Sequence, residues 1–246
     1  MEKKVPNIRN YKLIIYLISI VLFFLLGYSY GVFKNEKLSK EKLAKIFYEE
    51  PALFSDVFLK MQELKKNNDN AKTSKIILDL KESLLKDNDF FLGNPKGEKV
   101  IIEFFDYNCG YCKRNFTELM ELILEDKEIK IILKEFPILG ESSLLASKAA
   151  IASKKQGKYF EMHQKLLSQK SRIDLKKIKE LANEIDINVE MLIHDMEKES
   201  NLKIIKENKI LAEKIGVDGT PTFIIGQEVI PGSIGKEDFI DSLANL

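Results

Sequence analysis

The chain holds two cysteines, Cys109 and Cys112, three positions apart in Cys109-Gly110-Tyr111-Cys112. At that spacing the sulfurs can close a disulfide, so a first thiolate that attacks a foreign disulfide can be released from the mixed disulfide by the second. The pair follows the apolar run Val100-Ile101-Ile102-Glu103-Phe104-Phe105 and precedes Phe116, Leu119, Met120, Ile123 and Leu124 at helical spacing. Cys109 is thus expected at a strand end and Cys112 in the first turn of a helix, where unsatisfied N–H groups and the positive dipole end favour a thiolate. Zinc would need two more ligands, and the two histidines, His163 and His194, stand far apart within helical stretches, so no metal site is expected. A purely structural disulfide would close too small a loop to constrain the unfolded chain much.

Two further positions bear on the sulfurs. Glu103 is a carboxylate inside an apolar strand, where desolvation raises its proton affinity and fits it to take and return the proton of Cys112. The alternative is an edge-strand glutamate facing solvent. Asp106, nearer the cysteines, reads as a turn residue. In Gly219-Thr220-Pro221-Thr222-Phe223 a proline precedes an apolar strand without being able to donate to a ladder. A cis bond is expected there, turning the backbone N–H and C=O of Thr220 outward to pair with an extended polypeptide beside Cys109.

The elements that position these residues are an α/β set. After the turn Gly93-Asn94-Pro95-Lys96-Gly97, the segment Lys99 to Phe105 reads as a central strand, covered on both faces. With the helix after Cys109 and a second strand over Ile129 to Phe136 it makes a βαβ unit. Ser142 to Ile215 is helical, with breaks at Gly157, Ser171, Asn188 and Ser200 and a cap at Gly216. Strands Thr222 to Ile225 and Glu228 to Ile230, joined across Gly226-Gln227, precede a last helix over Lys236 to Leu243.

Upstream, Leu43, Ile46, Phe47, Phe54, Val57, Phe58, Met61 and Leu64 recur at helical steps, and Pro51 suits a first turn, which predicts two helices meeting near Glu50. The polar stretch Asn67 to Ser74 reads as a joint before another helix, Lys75 to about Asp87. Such a stripe must pack either on the C-terminal domain or on copies of itself. At the N-terminus Lys3, Lys4, Arg9 and Lys12 precede an apolar run from Leu13 to Leu26, which reads as an export segment that keeps the N-terminus inside and delivers everything after Lys34 outside. Extension through Gly27, Tyr28, Tyr30, Val32 and Phe33 approaches the ~20 residues a bilayer needs. An uncleaved anchor over 13–33 and a cleaved signal at Gly27, Ser29 and Gly31 both remain open. Three segments follow: 1–34 for export, 35–89 for a helical region, and 90–246 for a domain with a helical insertion at about 141–216. A net charge of +1 over 246 residues, with Lys and Glu interspersed, argues against nucleic acid as a partner.

The residues Phe104-Phe105-Asp106-Tyr107-Asn108-Cys109-Gly110-Tyr111-Cys112, with Thr220-Pro221-Thr222-Phe223 after a helical insertion, resemble the DsbA-like branch of the thioredoxin superfamily over roughly Phe91 to Leu246. The resemblance implies a thioredoxin fold with Cys109 as nucleophile, Cys112 as resolving thiol, Glu103 as the acid beneath them, and Thr220, Pro221 and Tyr111 facing substrate. No cofactor is implied beyond the redox-active disulfide Cys109–Cys112. Strongly oxidising members carry His where Tyr111 stands, so a less depressed Cys109 and a less oxidising disulfide are expected. Cys-Gly-Tyr-Cys, Thr before the proline and a helical N-terminal extension are together similar to the suppressor-of-copper-sensitivity C proteins, in which the extension makes a trimer and the activity includes disulfide isomerisation. That likeness implies a homo-oligomer, a trimer, assembled through residues 38–87, in the periplasm or cell envelope. Its partners would be disulfide-containing or unfolded exported proteins and a membrane redox protein. A dithiol oxidase and a non-catalytic peptide-binding module are the alternatives.

Overall fold

The computed structural model describes residues 15–26, 40–86 and 90–246, and the chain divides into two units, Met1–Lys65 and Lys66–Leu246. In the first unit residues 15–26 are helical and their large apolar side chains are exposed. Among the described residues no helix is long and apolar enough to cross a membrane. The rest of the anticipated export segment, Leu13, Ile14 and Gly27 to Phe33, lies outside the described residues, as do Lys3, Lys4, Arg9, Lys12 and Lys34. Helix α1 (Lys40–Glu49) and the start of α2 (Pro51–Asp79) meet at Glu50, with the proline at the first helical position, where its missing N–H costs nothing. Ile46, Phe54, Val57, Phe58, Met61 and Leu64 are exposed, and the rings of Phe54 and Phe58 stack 6.1 Å apart. The side chains of Leu43 and Phe47 lie outside the described set, as does Asp87.

The expected joint at Asn67 to Ser74 is absent: α2 runs through it unbroken. Asn and Asp each cost a helix no more than about 0.7 kcal/mol relative to Ala, and neither removes a backbone hydrogen bond as proline would. The far end of α2 is anchored by buried Ile77, and the Ser74 hydroxyl donates to Gln227 O at 3.3 Å. After a turn at Leu80 comes the short α3 (Lys81–Leu85). Its last carbonyls are met by a buried cation, since Lys134 Nζ donates to Ser83 O at 3.3 Å and Lys86 O at 2.6 Å.

The second unit is built on one sheet. Strands β1 (Phe91–Gly93), β2 (Lys99–Phe105), β3 (Ile129–Glu135), β4 (Thr222–Ile225) and β5 (Glu228–Pro231) lie in the order β1-β3-β2-β4-β5. Only β2 and β3 run parallel, joined by α4 (Gly110–Glu125), and β2 is central as expected. The edge strand β1 was not anticipated, because three residues are too few to show an alternation. It ends at Gly93, whose φ of +79° and backbone approach to Ile129 O leave no room for a Cβ.

Alternation along the strands assigns side chains to two cores. Ile101 and Phe105 of β2 and Ile129, Ile131 and Leu133 of β3 pack with Leu119 and Leu122 of α4, with the helical insertion, and with Phe239 and Leu243 of the last helix, α10 (Lys236–Ala244). On the other face Ile102, Phe104, Ile132 and Ile224 meet Ile77, Leu84, Leu211, Ala212 and Ile215. The insertion comprises α5 (Glu141–Ser153), a 3₁₀ turn (Lys154–Gln156), α6 (Tyr159–Leu167), α7 (Leu175–Glu184), α8 (Val189–Met196) and α9 (Glu199–Ile215). Its punctuation is mostly the expected one. Gly157 and Gly216 take left-handed φ of 72° and 87°, and Asn188 caps α8 by accepting from Met191 N at 2.9 Å. Ser200, expected at a break, lies inside the first turn of α9.

Candidate functional site

Cys109 is the N-cap of α4, with extended backbone, and its sulfur accepts from the N–H of Cys112 at 3.4 Å. This is the position at which the unsatisfied first-turn N–H groups converge. Across the sheet the Thr220–Pro221 peptide is cis, and the Cys109 thiol donates to Thr220 O at 3.2 Å. Residues 111 positions apart are thus brought into direct contact. The expectation that both backbone groups of Thr220 stand free therefore needs correction for the carbonyl, because a reduced thiol uses it as acceptor. Both cysteines are free thiols, with Cys112 buried and Cys109 6% exposed.

The sulfurs differ sharply in proton affinity. Hydrogen bonding with Cys112 is the main reason the Cys109 thiol falls to about 5, helped by Thr220 and the N–H groups of Cys112 and Tyr111 and opposed by burial. Burial pushes Cys112 far above the ordinary thiol range, with the bond to Cys109 and the charge of Glu103 adding to the rise. Of the two sulfurs, Cys109 is thus the one that ionises readily and Cys112 the one that holds its proton.

Glu103 can be the base that takes the Cys112 proton. It lies on central β2, paired with Leu133 on one side and Phe223 on the other, so it is no edge residue facing solvent. At 4% exposure burial raises its carboxyl to about 8, reinforced by the charges of Cys109 and Glu135. Tyr111 is 60% exposed, with the Arg114 guanidinium 4.9 Å above its ring, and Pro221 is buried. Among the described residues no group of three or more His, Cys, Asp and Glu side chains could hold a metal ion.

Asp106 does more than close a turn. Its carboxylate accepts from Asn108 N at 2.8 Å and from Ile138 N and Leu139 N, each at 2.9 Å, which fastens the loop after β3 to the cysteine loop. Asn108 continues the attachment through Ser142 Oγ and Ser143 Oγ at 3.2 and 2.8 Å. A further polar group was not foreseen. Glu135 at the end of β3 is fully buried and accepts from Tyr107 OH at 2.8 Å and Tyr159 OH at 3.1 Å, while Tyr107 OH also lies 3.0 Å from His163 Nδ1. The signal was present in the sequence: Glu135 ends Ile131-Ile132-Leu133-Lys134-Glu135 as anomalously as Glu103 sits in its own apolar strand.

A mixed sheet with a βαβ unit, a helical insertion and a hairpin led by a cis proline, carrying a two-cysteine helix N-terminus, defines a thioredoxin-fold protein with a dithiol site. The family model described as Thioredoxin matches residues 85–244, and the chain belongs to that family. Its structure is similar to that of a thioredoxin-like oxidoreductase from Silicibacter pomeroyi (35% identity, 63% of this chain and 90% of that one, TM-score 0.62). It is also similar to the thiol-disulfide exchange protein α-DsbA2 from Wolbachia pipientis (27% identity, 72% and 96%, TM-score 0.67). A linker-deletion mutant of Proteus mirabilis ScsC matches at 25% identity over 86% of this chain and 100% of that one, with a TM-score of 0.67. The chain spans about a quarter of the length of curated relatives it matches, Na⁺/H⁺ antiporters of Salinispora tropica and Salinispora arenicola.

Proposed function

We propose that the protein is an exported thiol:disulfide oxidoreductase that isomerises or reduces disulfides in secreted proteins. The observation that carries this reading is the pairing of an acidified Cys109 sulfur, held at a helix N-terminus beside Thr220 O, with a buried, protonated Cys112. The Cys109 thiolate attacks one sulfur of a substrate disulfide, forms a new S–S bond and expels the other substrate sulfur as a thiolate. Resolution needs Cys112 to lose its proton to Glu103. The Cys112 sulfur then attacks Cys109, the bond to substrate breaks, and the departing thiolate takes up a proton. Two electrons pass from the cysteine pair to the substrate disulfide. In isomerisation a second substrate thiolate attacks first and returns Cys109 reduced.

Three parts of the reading rest on other features. The exposed apolar side chains from Ile46 to Leu64 support self-association into a homo-oligomer such as a trimer. The exposed apolar helix 15–26, with Lys and Arg before it in sequence, supports export to the periplasm or cell envelope and an anchor in the inner membrane. A reduced pair also requires a membrane redox partner that supplies electrons.

A second reading, a dithiol oxidase that donates its disulfide, is favoured by the depth of the Cys109 shift, since a stabilised thiolate makes the reduced form the preferred one. The reduction potential of the Cys109–Cys112 disulfide tests both. A value around −120 mV supports the oxidase, and one well below it supports the isomerase or reductase. Failure of the full chain to restore activity to a scrambled multi-disulfide protein beyond its Cys109→Ser variant would exclude isomerisation.

A further inference from the structure

The buried polar group around Glu135 has no place in the exchange steps above, yet it touches the loop that carries Cys109. The parallel register sets Glu103 opposite Leu133 and Phe105 opposite Glu135. Because side chains alternate, Glu103 and Glu135 project from the same face of neighbouring strands, two residues out of step. At strand spacing this separates their Cα atoms by about 8 Å. At that placement the charge of Glu135 raises the proton affinity of Glu103, after burial and the charge of Cys109.

Glu135 is held from three sides. Tyr107 OH reaches its Oε1 from the cysteine loop, and Tyr159 OH reaches the same oxygen from α6. Burial raises its carboxyl to about 8, with the charge of Asp106 adding to the rise and both phenols and nearby Ser147 of α5, whose Oγ itself has no hydrogen-bond partner, opposing it. Its main-chain oxygen accepts from Asn208 Nδ2 of α9 at 3.1 Å. His163, packed edge-on against Phe105, Tyr107 and Phe116, is kept neutral by burial, which lowers it to about 3. With the Tyr107 proton directed to Glu135, the hydrogen-bond pattern assigns the proton of His163 to Nδ1, which donates to the phenol oxygen. Oε2 of Glu135, fully buried, has no hydrogen-bond partner and is the open position for a proton.

We propose that Glu135 is a second buried acid of the redox site, a positioning residue that fixes the Cys109 loop through Tyr107 and sets, by its charge, when Glu103 takes up and returns the proton of Cys112. An ionised Glu135 makes Glu103 the stronger base. Protonation of Glu135 releases that hold and weakens Glu103 as a proton acceptor. The groups facing Glu135 are Tyr107 and Asp106 of the cysteine loop, Glu103 of β2, Ser147 of α5, and Tyr159 and His163 of α6.

The role rests on the disulfide-exchange reading, and the test separates the two. Side-chain carboxyls of ¹³C-glutamate-labelled, reduced full-length protein are titrated by NMR, with Glu103 assigned through Glu103→Gln. In parallel, release of glutathione from its mixed disulfide with Cys109 is followed against pH. In Glu135→Gln the Glu103 midpoint and the matching limb of the rate profile move down by about one unit. If Glu135→Gln does not fold, Tyr159→Phe replaces it. Removing that hydroxyl favours protonated Glu135 and moves both readouts in the same direction by a smaller amount. A folded variant in which the Glu103 midpoint stays in place overturns the proposal, because a merely structural Glu135 would change the melting temperature alone. A wild-type mixed disulfide that Cys112 never resolves removes the exchange reading, while the NMR midpoint still decides the coupling of the acids.

Discussion

The helices between Lys40 and Leu64 and the sheet beneath Cys109 break the ordinary inside–outside rule in opposite senses. In the first, Phe54, Val57, Phe58, Met61 and Leu64 stand in solvent; in the second, Glu103, Asp106, Glu135 and His163 are buried. Exposed apolar area is unfavourable unless something covers it, and buried ionisable groups are unfavourable unless they are bonded or used. The helical stripe leaves Phe54, Val57, Phe58, Met61 and Leu64 exposed and is read as an assembly surface. Glu135 and Asp106 are hydrogen-bonded to the cysteine loop, the charge of Glu135 raises Glu103 and that of Asp106 raises Glu135, and these buried acids are read as chemistry. A defect of one kind points outward to another molecule, and a defect of the other kind points inward to a reaction.

The contrast is broken most severely at the sulfurs. Cys109→Ser lowers the rate of reaction with a glutathione mixed-disulfide probe by on the order of 10³-fold or more, whereas Cys112→Ser leaves the first attack and accumulates the mixed disulfide, visible by mass spectrometry. Glu103→Gln removes the proton acceptor and slows resolution by about 100-fold. The same variant has a stability signature. Folded Glu103 keeps its proton to about 8 against an ordinary 4.5, so between those values the native state binds more protons than the unfolded one. The stability this contributes is complete below 4.5 and is lost as pH rises to 8. Relative to Glu103→Gln, the wild type therefore loses at most about 5 kcal/mol across that window, measured by urea unfolding of the reduced protein.

A milder effect is expected at the cap. Iodoacetamide alkylation of Cys109 rises through about pH 5 and is level above it, and Thr220→Ala moves the midpoint up by roughly half a unit. The least effect on chemistry comes from the stripe. Phe54→Glu with Phe58→Glu abolishes self-association by analytical ultracentrifugation and changes glutathione exchange by less than about twofold. A tenfold loss of exchange in that variant would mean that the two regions are not independent.

Much of this is legible in the sequence. Periodicity placed β2 and β3 within a residue of their observed ends, and Gly157, Asn188 and Gly216 marked helix ends because left-handed backbone and a side-chain cap are local requirements. The joint expected at Asn67 to Ser74 was misread because low propensity is not a break: those side chains can face water while the backbone ladder continues. The strand β1 was illegible because its partner, β3, lies nearly forty residues on and its own three residues carry no period. Tyr159 and His163 gave no sign of a shared network in sequence, since an aromatic at helical spacing is ordinarily core, and Tyr107 entered only within the motif around Cys109.

By itself the sequence determined the cysteine pair and its place at a strand-to-helix junction, and it singled out Glu103 in the strand before it and the proline loop, while the burial of Glu103 on a central strand waited on the sheet order. What the sequence determined follows from short-range rules of spacing, propensity and desolvation. Only the tertiary structure decided that Thr220 O meets the Cys109 sulfur and that Asp106 fastens a loop thirty residues away. It also decided that Glu135 stands beside Glu103, because strand register and sheet order bring together residues that no local pattern connects.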